Sequence, residues 1–241
     1  MIKLSVVIPA YNEERRIEST LKNVDSYLEK QNYEYEIIVV DNNSNDRTSE
    51  VVKNLESTTV QNAKVILEKT KGKGAAVKRG VSEAQGEFII FMDADNATAI
   101  SEIENFWPYL NQGIEVVIGS RYLKPDTVKI PQPLYRVVLS RMSNLLIQFM
   151  LVPHIKDTQL GFKAFHGAAA KEIFRQISIY GWAFDMEILE IALKLSYRIK
   201  EVAVSWTEHG GSHLPLKAYT QSLRDLFIIK WKALTGKYSH K

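Results

Sequence analysis

Short runs of branched apolar residues recur through the first half of the chain. Leu4–Pro9, Glu36–Val40, Lys64–Leu67, Glu87–Met92 and Glu115–Ile118 are rich in Val, Ile and Phe, as strands buried on both faces of a sheet are. Between them, Glu13–Glu29, Asp46–Leu55, Lys73–Ala84 and Ser101–Leu110 carry the mixed pattern of helices, and Ser101 followed by Glu104 predicts a capped start for the last. This alternation predicts βαβ crossovers and an α/β fold, a Rossmann-like, mostly parallel sheet flanked by helices.

Past residue 120 the pattern loosens. Pro125, Pro131 and Pro133 mark an irregular stretch, and an apolar helix-like segment follows over Leu134–Leu151. Gly161–His166 and Arg198–Trp206 read as strands, Ala183–Leu195 as a helix and Leu216–Leu234 as a basic terminal helix. No polar linker interrupts the chain, so one domain over residues 1–241 with a C-terminal elaboration is the expectation.

The 241 residues, 45% apolar and 24% charged, have the composition of a globular protein. With no cysteine, disulfides, zinc-thiolate sites and thiol catalysis are excluded, and a reducing cytosol is compatible. No apolar run reaches the roughly 18 residues of a membrane span. Leu4–Ala10 runs into Asn12, Glu13, Glu14, Arg15 and Arg16, which rules out a signal peptide there. The net charge of +3 hides an uneven distribution: Arg121–Lys156 and Pro215–Lys241 each hold six Lys/Arg against one acid. Two basic segments on an otherwise acidic body point to anionic partners.

Ligands of an open parallel sheet bind beyond the carboxyl ends of its strands. Three such ends carry polar signatures: Pro9-Ala10-Tyr11-Asn12-Glu13, Asp41-Asn42-Asn43-Ser44 and Asp93-Ala94-Asp95. Asp and Asn favour turns and caps, which accounts for any one of them but less well for all three. A turn at Asp93-Ala94-Asp95 lets both carboxylates approach one cation, and hard oxygen donors suit Mg²⁺ or Mn²⁺ shared with substrate phosphates. An EF-hand fails, because Thr98 stands at the sixth position where its loop needs glycine, although Glu104 stands at the twelfth. A hydrolytic carboxylate pair would flank a sugar from about 5–9 Å apart. Lys71-Gly72-Lys73-Gly74-Ala75-Ala76 precedes a helix; its glycines permit close backbone approach, and the helix N-terminus with two lysines favours an anion. It matches neither a P-loop nor the GxGxxG fingerprint, which argues against kinases, ATPases and dinucleotide dehydrogenases.

Taken in order and spacing, Leu4–Glu13, Ile37–Asp46, Lys71–Gly80 and Asp93-Ala94-Asp95 resemble the nucleotide-sugar half of the family 2 glycosyltransferases, which have the GT-A fold. The resemblance covers residues 1–120, with 121–241 as an acceptor half. It implies that Pro9, Tyr11 and Glu13 surround the base and ribose of the donor, with Asp41 also on the nucleoside and Lys73 in the donor site. Asp93 would sit near the ribose and metal, and Asp95 would be the principal metal ligand. Further on, Gly119-Ser120-Arg121-Tyr122, Tyr135-Arg136, Ser140 and Asp157-Thr158-Gln159-Leu160-Gly161-Phe162-Lys163 resemble the enzymes that glycosylate polyprenyl or dolichyl phosphate. Within that group, Asp157–Lys163, Trp182-Ala183-Phe184-Asp185-Met186-Glu187 and Trp206-Thr207-Glu208 resemble the β-glucosyltransferases. The resemblance implies UDP-glucose as donor and Arg121, Arg136 and Ser140 on the acceptor phosphate. Two departures stand out: the membrane anchor common in that group is missing, and Ser212 is followed by His213 instead of a lysine.

The chemistry agrees with such an acceptor. A phosphate monoester has a second pKa of about 6 and is largely dianionic at neutral pH, so it needs positive charge more than a general base. Arg121 and Arg136 suit that task because guanidinium grips phosphate through two N–H groups. Asp157 then orients the acceptor or an arginine; for a hydroxyl acceptor on a growing polysaccharide it would be the candidate base. Leu145–Pro153 reads as a buried helix or as an in-plane guide for the lipid. Leu223–Lys237 reads as a packed terminal helix or as a basic amphipathic helix on an anionic membrane. A peripheral position on the cytoplasmic membrane face is the expectation. His154, His166 and His209 lack metal-ligand spacing. The remote alternative, a non-enzymatic module binding phosphate or nucleic acid, lacks a nucleic-acid motif and would set acidic strand ends against a polyanion, so nucleic acid is not an expected partner.

Overall fold

The computed structural model describes residues 1–123, 145–207 and 216–239, with backbone alone for 216–220. Seven strands form one sheet: β1 (Leu4–Ala10), β2 (Tyr35–Asp41), β3 (Ala63–Leu67), β4 (Phe88–Met92), β5 (Val116–Ser120), β6 (Phe162–His166) and β7 (Ile199–Ala203). Their spatial order is β3-β2-β1-β4-β6-β5-β7. Four pairings are parallel and two, both made by β6, are antiparallel. The helices are α1 (Ile17–Leu28), α2 (Thr48–Thr58), α3 (Lys73–Glu83), the single turn α4 (Trp107–Leu110), α5 (residues 145–150), α6 (Gly167–Gln176), α7 (Phe184–Lys194) and α8 (Leu216–Leu234).

Alternation along each strand sorts the apolar runs into two cores. Val7, Ile38, Val40, Ile89, Phe91 and Ile118 face α3, α6, α7 and the buried side of α8. Val6, Ile8, Ile37, Val39, Phe88 and Ile90 face α1 and the helical turns after residue 100. The mostly parallel α/β sheet expected from the pattern is therefore present, with one difference. β6 runs backwards between β4 and β5, so Met92 pairs with Phe162 and Ile118 with Lys163. This reversal brings the start of β6 to the edge where the parallel strands end.

The predicted helix over Ser101–Leu110 is split into a 3₁₀ turn, Ile100–Asn105, and α4. Pro108 lacks the N–H that would bond back to Glu104 and its ring crowds that carbonyl, so one continuous helix is blocked, and Ser101 is not its cap. α1 starts at Ile17, because Glu13–Arg16 form a turn in which the Glu13 carbonyl accepts from the Arg16 and Ile17 amides, both at 2.9 Å. The Ala-rich helix α6 was not among the expected elements. The prolines at 125, 131 and 133 and residues 134–144 of the apolar segment lie outside the described residues.

α3 lies close to the sheet because Gly80 has no side chain there. A Cβ at Gly80 would come 2.3 Å from Val7 Cγ1 and 3.0 Å from Val40 Cγ2. Gly80→Ala gains up to about 1 kcal/mol in helix propensity but overpacks the core, which costs about 1–3 kcal/mol. The expected outcome is a net loss of stability, read as a lower urea midpoint with an unchanged m value.

Candidate active site

The carboxyl ends of β1, β2 and β4 each turn through an asparagine with positive φ: Asn12 (55°), Asn43 (62°) and Asn96 (55°). Asparagine tolerates this left-handed region better than most residues. The first two turns are stitched together. Asn12 Oδ1 accepts the Asn45 amide at 2.8 Å, Ser44 Oγ accepts the Asn12 amide at 2.9 Å, and Thr48 Oγ1 accepts the Glu13 amide at 2.8 Å. Asp41 is buried and spends its carboxylate on this frame, accepting from the Ser44 amide at 2.9 Å and from the Ser49 hydroxyl. Tyr11 stands exposed at the rim and Pro9 is half-buried. Glu13 is gripped through both oxygens by Arg16 at 2.7 and 2.8 Å. Burial raises the Glu13 pKa; Arg16 opposes the shift, and the nearby Asp95 and Asp93 add to it.

Asp93 and Asp95 follow β4. Lys73, the first residue of α3, binds Asp93 Oδ1 at 2.5 Å and lies 5.7 Å from the Trp182 ring centroid. Burial alone would lower the Lys73 pKa, but attraction to Asp93 and then Asp185 outweighs it and leaves the pKa raised. Asp95 Oδ1 accepts the Ala97 amide at 3.0 Å. The neighbouring Asn96 Oδ1 is buried and has no hydrogen-bond partner among the described residues. Among the described residues no three His, Cys, Asp or Glu side chains form a ready metal cage. A cation at this turn would share Asp93 and Asp95 with oxygens from a ligand, which is how Mg²⁺ is commonly held with phosphates.

The glycine-rich segment behaves differently from the anion cradle expected of it. Gly72 has φ 129°, and a Cβ there would lie 2.1 Å from the Tyr180 carbonyl oxygen; one at Gly74 would lie 2.6 Å from Phe184 Cβ. The Gly74 amide donates to the Tyr180 carbonyl at 2.8 Å. Close approach is thus used by the protein's own 179–184 segment, and the side chain of Lys73, not the helix N-terminus, supplies charge to the site.

The reversed β6 delivers the second half of the site. The Asp93 amide donates to the Gly161 carbonyl at 3.1 Å, and a Cβ at Gly161 would collide with the Asp93 carboxylate at 2.3–2.5 Å. β5 ends on the same edge, and Asp157, fully buried, binds Arg121 through both oxygens: Nε at 2.8 Å, Nη2 at 3.0 Å and the Arg121 amide at 3.0 Å. Burial would raise the Asp157 pKa, but the Arg121 guanidinium holds it below the usual carboxylate range. The base role considered for Asp157 therefore has no support: the carboxylate is sealed from solvent, spent on a guanidinium and weakly basic. The guanidinium fork expected on a phosphate grips Asp157 through Nε and Nη2, and Nη1 takes no part in that pair. Its carbon Cζ lies 5.4 Å from the Trp206 ring centroid, and the Thr207 amide donates to the Ala97 carbonyl at 2.9 Å, joining this wall to the Asp95 turn.

The structure thus gathers Glu13, Lys73, Asp93, Asp95, Arg121 and Asp157 at one edge of the sheet. Arg136, with Tyr135, Ser140, Glu208, Ser212 and His213, lies outside the described residues. Sequence reasoning quoted Lys163 and Asp185 without giving them a task. They form a buried ion pair, and Lys163 Nζ also donates to the Leu160 carbonyl at 2.7 Å. A lysine between apolar strand residues was the available signal. Glu187, also buried, accepts from the Ser178 and Ile179 amides at 2.9 and 2.8 Å and from the Tyr238 hydroxyl at 2.8 Å, which fixes the 178–180 segment against α3.

Breaking a buried pair leaves its partner unpaired in low dielectric and costs about 3 kcal/mol or more, so Asp157→Asn should destabilise the fold by that order. The sign of the pH dependence follows from the depressed folded pKa. The pair's contribution is complete above the unfolded value of about 4 and is lost as pH falls through the folded value. The gap in urea midpoint between the parent and Asp157→Asn should stay constant from neutral pH to about pH 5 and close at lower pH.

With this geometry in place, comparison with known proteins is informative. Residues 5–174 match the model of the family described as Glycosyl transferase family 2. The dolichyl-phosphate beta-glucosyltransferase of Homo sapiens is 38% identical, the alignment covering 97% of this chain and 76% of that one. The enzyme of the same name from Saccharomyces cerevisiae is 34% identical, over 98% of this chain and 77% of its own. Among solved structures, mannosyl-3-phosphoglycerate synthase from Rubrobacter xylanophilus superposes with a TM-score of 0.72 at 18% identity, covering 98% of this chain and 75% of that chain. Glucosyl-3-phosphoglycerate synthase from Mycobacterium tuberculosis, in complex with Mn²⁺, UDP-glucose and phosphoglyceric acid, gives 0.68 at 19% identity, over 96% and 79%. These last two speak to the fold alone. With most of its length matched by the family model, and with relatives 34% and 38% identical over nearly all of this chain, the chain belongs to glycosyl transferase family 2 and is a glycosyltransferase of GT-A fold.

Proposed function

We propose that this protein transfers glucose from UDP-glucose to a polyprenyl phosphate of the dolichyl type, with inversion at the anomeric carbon and with Mg²⁺ or Mn²⁺ at Asp93 and Asp95. The observation that carries the choice of acceptor is the Asp157–Arg121 pair. A hydroxyl acceptor needs a carboxylate base, and Asp157, the candidate for it, is buried and committed. A lipid phosphate arrives already dianionic at neutral pH. The names of the curated relatives, dolichyl-phosphate beta-glucosyltransferases, support the same reading.

In this reading, Tyr11 and Glu13 border the nucleoside, and Asp41 acts by holding the β1 and β2 turns together. Lys73 stands beside the diphosphate, with Asp93 and Asp95 below it. When bound, the divalent ion supplies Lewis-acid neutralisation of the diphosphate. A phosphate oxygen of the acceptor forms a bond to the sugar's anomeric carbon as the bond from that carbon to the diphosphate oxygen breaks. The bonding pair leaves on UDP, and no proton has to move. Arg121 offers its Nη1 edge to the incoming phosphate while Asp157 fixes the guanidinium plane.

A lipid acceptor also calls for contact with a bilayer. On α8, Leu226, Ile229 and Ala233 are buried in the core, whereas Leu223, Phe227, Trp231 and Leu234 form a second, exposed apolar stripe at helical spacing. At 100° per residue, Arg224 and Lys230 flank that stripe. Phe149 and Leu145 on α5 are exposed as well. No described helix is long and apolar enough to cross a membrane. An apolar stripe bordered by cations fits a helix lying in the plane of an anionic surface, which supports the peripheral membrane position of this reading; the cytoplasmic face is part of the proposal.

The protein with UDP-glucose, Mn²⁺ and polyprenyl phosphate should yield a glucosyl lipid and UDP, resolved by chromatography. Chelator should abolish turnover, and Asp95→Ala should lower it by about 100-fold or more. Turnover that survives chelator overturns the metal assignment; transfer to sugar hydroxyls alone overturns the acceptor assignment. Separately, the protein should sediment with vesicles containing anionic lipid, less so as salt rises, and a Phe227→Glu/Trp231→Glu variant should stay in the supernatant. Equal sedimentation of that variant would overturn the docking face.

A further inference from the structure

Beneath the proposed donor site, six charged side chains form three ion pairs. Asp93 binds Lys73 at 2.5 Å, Asp185 binds Lys163, and Asp157 binds Arg121 at 2.8 Å. Lys73 and Asp185 are brought together by their neighbours, since a Cβ at Gly74 would lie 2.6 Å from Phe184 Cβ, and the charge of Asp185 acts on Lys73. Asp93 and Lys73 reach the site, whereas Lys163 and Asp185 are sealed from solvent. Lys163 stands opposite Phe91 and Ile118 in the middle of the sheet. Lysine is almost never fully buried unless paired, and a buried pair is weak evidence for stability, since apolar replacements are often as stable or more so. The pair therefore calls for another explanation.

We infer that Asp185, held by Lys163, is a positioning residue that keeps Lys73 turned toward the donor diphosphate. The inference rests on the donor assignment proposed above. Lys73 sits at the positive end of α3, within reach of the Lys163 charge, so both surroundings repel it. Its direct partner is Asp93, one of the two carboxylates a cation would claim. Once Asp93 is shared with a cation, attraction on that side weakens, and Asp185 is the anion that remains on the protein side of the ammonium. Lys163 in turn fixes Asp185, and its bond to the Leu160 carbonyl sets the turn whose Gly161 backs Asp93.

The test is calorimetric titration of the intact protein with UDP in the presence and absence of Mn²⁺. Asp185→Asn should weaken UDP binding with Mn²⁺ by roughly 10-fold or more, as loss of an outer partner does at metal sites. The same loss should appear in Lys163→Met/Asp185→Leu, an apolar exchange chosen to keep the fold, checked by an unchanged thermal midpoint. In a Lys73→Met background, Asp185→Asn should cost nothing further, because its effect passes through Lys73. Parent-like UDP affinity in the folded double variant overturns the inference, as does a full additional loss in the Lys73→Met background. If the parent itself binds no UDP, the donor assignment fails and this inference with it. A parent that binds while the variants bind equally well overturns the inference alone.

Discussion

A carboxylate and two basic side chains that lie mostly out of water at one sheet edge cannot stay charged unless each meets an opposite charge, and that constraint shapes the active edge of this protein. Removing a charge from water costs several kcal/mol even after the protein relaxes. Asp157 has no solvent exposure, so Arg121 must be present, and must lie flat against it through Nε and Nη2. Arg121 is thereby held in one plane beside Trp206. In the proposed reading, a guanidinium fixed in this way would need no ordering when the acceptor phosphate arrives, which is where preorganised sites gain over flexible surface cations. The buried pair stabilises little in net terms; what it supplies is orientation.

The reversed strand meets the same constraint through topology. Had β6 been parallel, Asp157 and Gly161 would lie at the opposite edge from Asp93. Running it backwards places the Asp157–Gly161 turn beside the β4 carboxyl end, and β5 then returns Arg121 to the same edge. A Cβ at position 161 would push the Asp93 carboxylate out of its place, because that carboxylate occupies the same volume. The two halves of the site, far apart in sequence, therefore meet through a backbone hydrogen bond and a missing side chain.

Much of this was legible in the sequence, and what was not has identifiable causes. The strands β1, β2 and β4 could be read because buried parallel strands are continuous apolar runs ended by polar turns, and Asp93-Ala94-Asp95 lies at such an end. The direction of β6 was not legible: a strand of five residues carries no mark of which way it runs. α6 was missed because Gly167-Ala168-Ala169-Ala170 gives no amphipathic rhythm at its start. The glycines around Lys73 looked like an anion cradle because the local signal for close approach is the same whether a phosphate or a neighbouring backbone comes near. Only tertiary structure shows that Tyr180 and Phe184 fill those positions. Asp157 had two candidate roles in the sequence, and burial separates them.

The apolar stripe of α8 extends the argument to the far side of the fold. A helix that packs on one face through Leu226 and Ile229 normally presents polar residues on the other, yet Phe227 and Trp231 are exposed. The helix is not isolated from the site. Beyond its C-terminus, Tyr238 donates to Glu187, and Glu187 holds the Ser178 and Ile179 amides, next to the Tyr180 carbonyl that accepts from Gly74. Lys73, one residue before Gly74, thus has its backbone fixed by a chain of contacts that ends at the helix proposed to rest on lipid. Every link is a hydrogen bond or the backbone itself, and Glu187, Tyr238, Ile179 and Gly74 are buried, so the chain of contacts is continuous from α8 to α3. Were α8 to rest on lipid as proposed, these contacts would relate the height of Lys73 to the membrane surface, from which a lipid phosphate cannot travel far.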